Sequence, residues 1–211
     1  MFQKIYLGDI VARNSIVNVA GIRVLIRKVA ESVCRPISFS RINNLLSSVG
    51  GKLSLATTIK YVEYCEDAWL LMRLRNYVSC LADKESNCKY YFIDNGILNL
   101  FLIDKDSMLL ENMVALQLFR KYGHDVDNER VFFYNDSFEV DFYIPEDGLA
   151  IQVCYSLRDE ETLSREVDAL KKLPKRLECR RRIILTFDEE ASFADKLGTI
   201  EVIPCWKWMQ D

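Results

Sequence analysis

The spacing of apolar residues changes period near Val131, and this change constrains the fold more than any other feature. Before it, apolar residues recur three and four apart. After it, Val131–Tyr134, Phe138–Ile144 and Ala150–Tyr155 read as strands, with Asn135-Asp136-Ser137 and Pro145 to Gly148 as the turns between them. A chain with both periods in separate blocks is an α/β (α+β) protein, expected as one subdomain over residues 1–100 and another over 101–211. The charges divide in a similar way. Residues 1–85 carry 12 Lys/Arg against 7 Asp/Glu, and residues 86–211 carry 16 against 24, so the basic half is the expected partner of a polyanion.

The first half reads as three helices. Residues 14–33 form one, capped by Asn14 or Ser15 and ended before Pro36. Ser38 to Val49 form the second, with Phe39, Ile42, Leu45 and Leu46 on one face and Gly50-Gly51 as the stop. Ser54 caps the third, whose buried side is Ile59, Val62 and Cys65. Strands at Trp69–Leu74 and Tyr90–Ile93 follow, separated by a loop from Ala82 to Lys89. Three helices and a hairpin are the order of a winged helix-turn-helix, in which the third helix is offered to DNA. The expected nucleic-acid contacts are Ser54, Thr57, Thr58, Lys60, Arg73 and Arg75, because hydroxyls and cations suit phosphate and base edges.

In the second half a helix over 107–122, capped by Ser107 and stopped by Gly123, precedes the three strands. A helix over 162–173, a strand at Arg182–Phe187 and a last strand at Ile200–Pro204 complete the order α-β-β-β-α-β-β. With acids on the second and third strands, that order resembles the PD-(D/E)XK nuclease-like mixed-sheet domain. There, carboxylates on adjacent strands hold Mg²⁺, and a lysine two residues after the second acid assists the attacking water. Here Glu111 and Asp141 are the candidate metal ligands and Asp141 follows Glu139. The third strand, however, reads Gln152-Val153-Cys154, with an amide for the acid and a thiol for the lysine. The expectation is a degenerate site with weak metal affinity, in which Glu166 of Arg165-Glu166 is the candidate replacement acid. A metal-dependent DNA nuclease using Mg²⁺ is the alternative.

Asp9-Ile10-Val11-Ala12-Arg13, Thr58-Ile59-Lys60-Tyr61-Val62, Tyr91 to Gly96, Leu110-Glu111-Asn112, Glu139 to Phe142, Ile151-Gln152-Val153 and Arg165-Glu166 stand in the order seen in a large prokaryotic family. The chain resembles the C-terminal region of those predicted AAA-type P-loop ATPases, a region known as a domain of unknown function. The resemblance implies a winged helix, a nuclease-like domain and, in a full-length protein, an ATP-binding domain. No GxxxxGK[ST] occurs; Gly50-Gly51-Lys52 is followed by Leu53. The chain opens in mid-pattern, so a fragment is expected, with no cofactor of its own. DNA, the missing ATPase domain or another protein are the expected partners, and a non-catalytic assembly module is the remaining alternative.

The seven cysteines are odd in number and form no CxxC pair, so they are expected as free thiols in a reducing cytoplasm. No apolar run approaches the roughly 20 residues of a membrane span. His124, Arg180-Arg181-Arg182 and Cys154 are expected to be a loop residue, a solvated strand start and a structural thiol. Trp206 and Trp208 are expected to pack an edge of the sheet.

Overall fold

A computed structural model describes residues 2–48, 53–78, 87–102, 105–123 and 130–210. His124, Val49, the Gly50-Gly51-Lys52 stretch and most of the expected 82–89 loop lie outside them. The described residues divide into two compact units. One holds 2–48, 53–74 and 87–102; the other holds 75–78, 105–123 and 130–210.

In the first unit a short helix α1 (Phe2–Lys4) continues as π-helical turns over Ile5–Ala12, with Arg13 N–H donating to the Gly8 carbonyl five residues back at 3.1 Å. The next helix, α2 (Val19–Glu31), begins five residues later than the sequence suggests. Ser15 lies at φ 51°, and Asn18, not Asn14 or Ser15, accepts from the Gly21 N–H at 2.8 Å. Its Ile22, Leu25, Ile26, Val29 and Ala30 are buried at helical spacing. Strand β1 (Ile37–Ser38), unforeseen because it is two residues long, precedes α3 (Phe39–Ser48). Ser54 caps α4 (Leu55–Asp67) through the Thr57 N–H, as its position before an apolar run requires. Then β2 (Leu71–Leu74) and β3 (Asn87–Phe92) form an antiparallel pair, and β1 joins β3 on its other side, giving the order β1-β3-β2. A one-turn helix, α5 (Asn95–Leu98), closes the unit.

The second unit opens with α6 (Asp106–Tyr122), which starts without a side-chain cap; Ser107 lies inside it. Six strands follow: β4 (Phe132–Asn135), β5 (Glu139–Ile144), β6 (Leu149–Val153), β7 (Arg181–Thr186), β8 (Ala191–Asp195) and β9 (Gly198–Pro204). Between β6 and β7 runs α7 (Glu160–Lys172), capped by Asp159 on the Thr162 N–H, and α8 (Cys205–Trp208) ends the fold. The sheet is mixed, in the order β4-β5-β6-β7-β9-β8. Neighbours are antiparallel through β6, parallel from β6 to β7 to β9, and antiparallel again at β8. The crossover that makes β6 and β7 parallel runs through α7, whereas β7 and β9 are connected through β8. One core packs Ala150, Ile184, Ile200 and Val202 of the sheet with Val167, Leu170 and Leu173 from α7 and the turn after it. Beyond the expected elements, Asn76 pairs in parallel with Phe133, and its amide bonds both ways with the Asn135 backbone at 2.7 and 3.0 Å.

Candidate functional site

The β5–β6 hairpin turns at Gly148, whose φ of +55° suits glycine, and its register pairs Phe142 with Ile151. One step further, Asp141 and Gln152 face each other across the pair. The Asp141 N–H donates to Gln152 Oε1 at 2.8 Å, and the Val153 N–H donates to Asp141 Oδ2 at 2.9 Å. Because side chains alternate along a strand, Gln152 shares the face of Ala150 and points to α7. There its Nε2 donates to Glu166 Oε2 at 2.7 Å and to the Glu139 carbonyl at 3.3 Å. The other Glu166 oxygen accepts from Arg165 Nη2 at 2.7 Å. Gln152 is 4% exposed and Glu166 6%. All three polar hydrogen-bonding functions of this amide are therefore met by β5 and α7, and its orientation is fixed by acceptors on one side and a donor on the other.

The structure thus brings Asp141, Gln152 and Glu166 together, with Arg165 capping the far end. Glu111 is half-buried on α6, which packs against β6. The Cys154 thiol donates to the Ser156 carbonyl at 3.0 Å. Burial and then the Glu166 carboxylate push its pKa up, which disfavours the thiolate. A Mg²⁺ ion here would compete with protein donors for the Asp141 and Glu166 carboxylate oxygens. Both Glu166 oxygens and one of Asp141 accept from protein N–H groups, and among the described residues no three His, Cys, Asp or Glu side chains gather as ligands.

The expected nucleic-acid set fares differently. Ser54 and Lys60 are exposed, and Thr57 is half-buried with its hydroxyl 2.8 Å from that of Ser54. Thr58 is a correction: it is 0% exposed and donates to Asn43 Oδ1 at 2.9 Å, because α4 turns that face onto α3. Arg73 is a second correction. It grips Glu66 through Nε at 2.8 Å and lies over the Phe39 and Tyr90 rings. Arg75 is a third; it is buried and belongs to the second unit, where its carbonyl accepts from the Phe133 N–H. Charge agrees with this. The α4 helix carries Lys60 against Glu63, Glu66 and Asp67, whereas residues 2–48 carry seven Lys/Arg against two Asp/Glu, with Arg13, Arg23 and Arg27 exposed. Composition over the whole half hid this, since the excess sits on the first helices.

Two further expectations change. Arg182 is not solvated; at 3% exposure it forms a bidentate pair with Asp195, at 2.7 and 2.9 Å, which the facing β9–β8 hairpin supplies. Trp208 is half-buried, but Trp206 is 58% exposed and does not pack an edge. The six described cysteines are free, and burial pushes Cys205 and Cys179 up to about 11. Among the described residues no helix is long and apolar enough to cross a membrane.

These features define a mixed α/β protein with two sheets, the larger carrying a buried carboxylate–amide network. Residues 1–107 match the family described as Domain of unknown function (DUF8612), and the chain belongs to that family. It is 36% identical to the uncharacterized protein MJ1544 of Methanocaldococcus jannaschii, over 97% of this chain and 47% of that protein. It is 28% identical to an uncharacterized protein of Haemophilus influenzae, over 74% of this chain and 40% of that one. The chain thus spans about half the length, or less, of these curated relatives. No solved structure matches it.

Proposed function

We propose that this chain is a non-catalytic accessory region of a longer AAA-type ATPase, a winged helix followed by a nuclease-like domain that serves binding or assembly. The observation that carries the reading is Gln152. Its buried amide donates to Glu166 and accepts from the Asp141 backbone, so a neutral hydrogen-bonded bridge stands where the nuclease group requires a charged metal site. The winged-helix reading is supported by the order helix, strand, two helices, two strands, with the sheet order β1-β3-β2. The nuclease-like reading is supported by three antiparallel strands, a crossover helix and a parallel fourth strand. The ATPase connection rests on the sequence resemblance; relatives about twice as long leave room for another domain.

A supercoiled-plasmid assay with Mg²⁺ or Mn²⁺ tests the proposal, with Asp141→Ala as control. No nicking above that control is expected. Metal-dependent nicking that Asp141→Ala abolishes would establish the nuclease instead, with Glu166 as its second acid.

A further inference from the structure

We infer that the edge of the larger sheet where β6, β7 and β9 end is a docking surface for an arginine-bearing segment of a partner protein. Three aromatic residues follow those strand ends: Tyr155, Phe187 and Trp206. Tyr155 and Phe187 are stacked, with centroids 4.9 Å apart and planes at 17°, and the Phe187 N–H donates to the Tyr155 carbonyl. The register pairs Thr186 with Pro204, so Phe187 and Trp206 lie just beyond the ends of adjacent strands. Glu190 and Lys207, 2.9 Å apart, join the two segments. Phe187 is 51% exposed and Trp206 58%, although each has core positions a residue or two away. Burying such rings against a partner would remove apolar surface from water. The C-terminal edge of parallel strands is also where open α/β sheets receive ligands.

Charge selects the occupant. The loops and the start of α7 at this edge expose Asp159, Glu160, Glu161, Asp188 and Glu190, against exposed Arg158, Arg165 and Lys207. A guanidinium satisfies both features at once, since it stacks on aromatic faces, pairs with carboxylates and is weakly hydrated. Single-stranded nucleic acid would use the same rings for stacking, but its phosphates would face these carboxylates. The surface therefore favours a protein segment that alternates arginine with apolar residues. This inference is independent of whether the Gln152 site cuts DNA.

The test is fluorescence anisotropy of the full chain with three labelled probes: an Arg-Leu alternating hexapeptide, its Lys-Leu counterpart and an oligothymidylate. The Arg-Leu peptide is expected to bind saturably, more tightly than the Lys-Leu peptide, and more weakly as salt rises. Phe187→Ala with Trp206→Ala, and separately Asp188→Lys with Glu190→Lys, should each weaken it about tenfold or more. All four positions lie at the surface or in loops, and circular dichroism confirms that each variant is folded. No saturation by the Arg-Leu peptide, tighter binding of the oligothymidylate, or unchanged affinity in the folded aromatic variant would overturn the inference.

Discussion

Replacing Gln152 with Glu changes one atom and inverts the electrostatics of the buried network. The amide donates to Glu166 at 2.7 Å and to the Glu139 carbonyl at 3.3 Å. A carboxylate in its place loses both donors and confronts Glu166 with a second negative charge where both residues are nearly excluded from water. Losing the hydrogen bond to a charged acceptor costs roughly 1.5–3 kcal/mol, and repulsion adds to it until one of the two carboxyls takes a proton. That shared proton has a folded-state pKa above the unfolded value of about 4.3. The variant's deficit is therefore smallest at acidic pH and grows as pH rises through the raised pKa. At 2–4 °C per kcal/mol, the melting temperature at pH 8 should fall by roughly 4–10 °C, and by less at pH 5. Mn²⁺ should restore stability to Gln152→Glu, which now offers three acidic side chains, and leave the wild type and Gln152→Leu unmoved. The assay is a thermal melt of all three proteins at both pH values, with and without Mn²⁺. A variant that melts within a degree of wild type at pH 8, or a wild type stabilised by Mn²⁺, would refute the view that a neutral amide, and no metal ion, ties this network together.

Other outcomes follow from the same geometry. Duplex DNA should be bound weakly through the exposed Arg23 and Arg27, so the double change to Glu lowers the slope of log affinity against log salt by about 2, while Lys60→Glu has little effect in the same filter-binding titration. The opposite ranking would return the contact to α4. Thr58→Val breaks the bond to Asn43 and should cost about 1 kcal/mol in urea denaturation without altering DNA affinity. The hydrogen bond from Arg182 holds the Asp195 carboxyl down at about 2, so this pairing stabilises the fold above the unfolded pKa near 3.9 and is lost as pH falls from there towards 2. Asp195→Asn should flatten that acid limb of the melting curve, and an unchanged limb would show that other carboxylates set it.

The strands of the second unit were readable because alternation over Phe138–Ile144 and the Pro145–Gly148 turn are local signals. They lie where the sequence places them. Ser54 was equally legible as a cap. The misses have physical causes. Strand β8, Ala191–Asp195, is a mostly exposed edge with no apolar alternation to reveal it. Thr58 has the chemistry of a surface hydroxyl, and only the packing of α3 on α4 turns it inward. Glu166 could be named as reaching back to Gln152 because both positions follow from strand and helix order, whereas the fixed orientation of the amide needed the Glu139 and Asp141 backbone in place.

The stretch from Arg75 to Val78 belongs by contact to the second unit, yet in sequence it lies between two strands of the first. The two units are therefore joined by more than one covalent thread. A polypeptide beginning at Lys105 would lack Asn76, with its two bonds to Asn135, and Tyr77, whose ring meets Phe132 and Tyr143. No single cut in the chain yields both units whole, and the family region, ending at residue 107, carries within it a piece of the neighbouring fold.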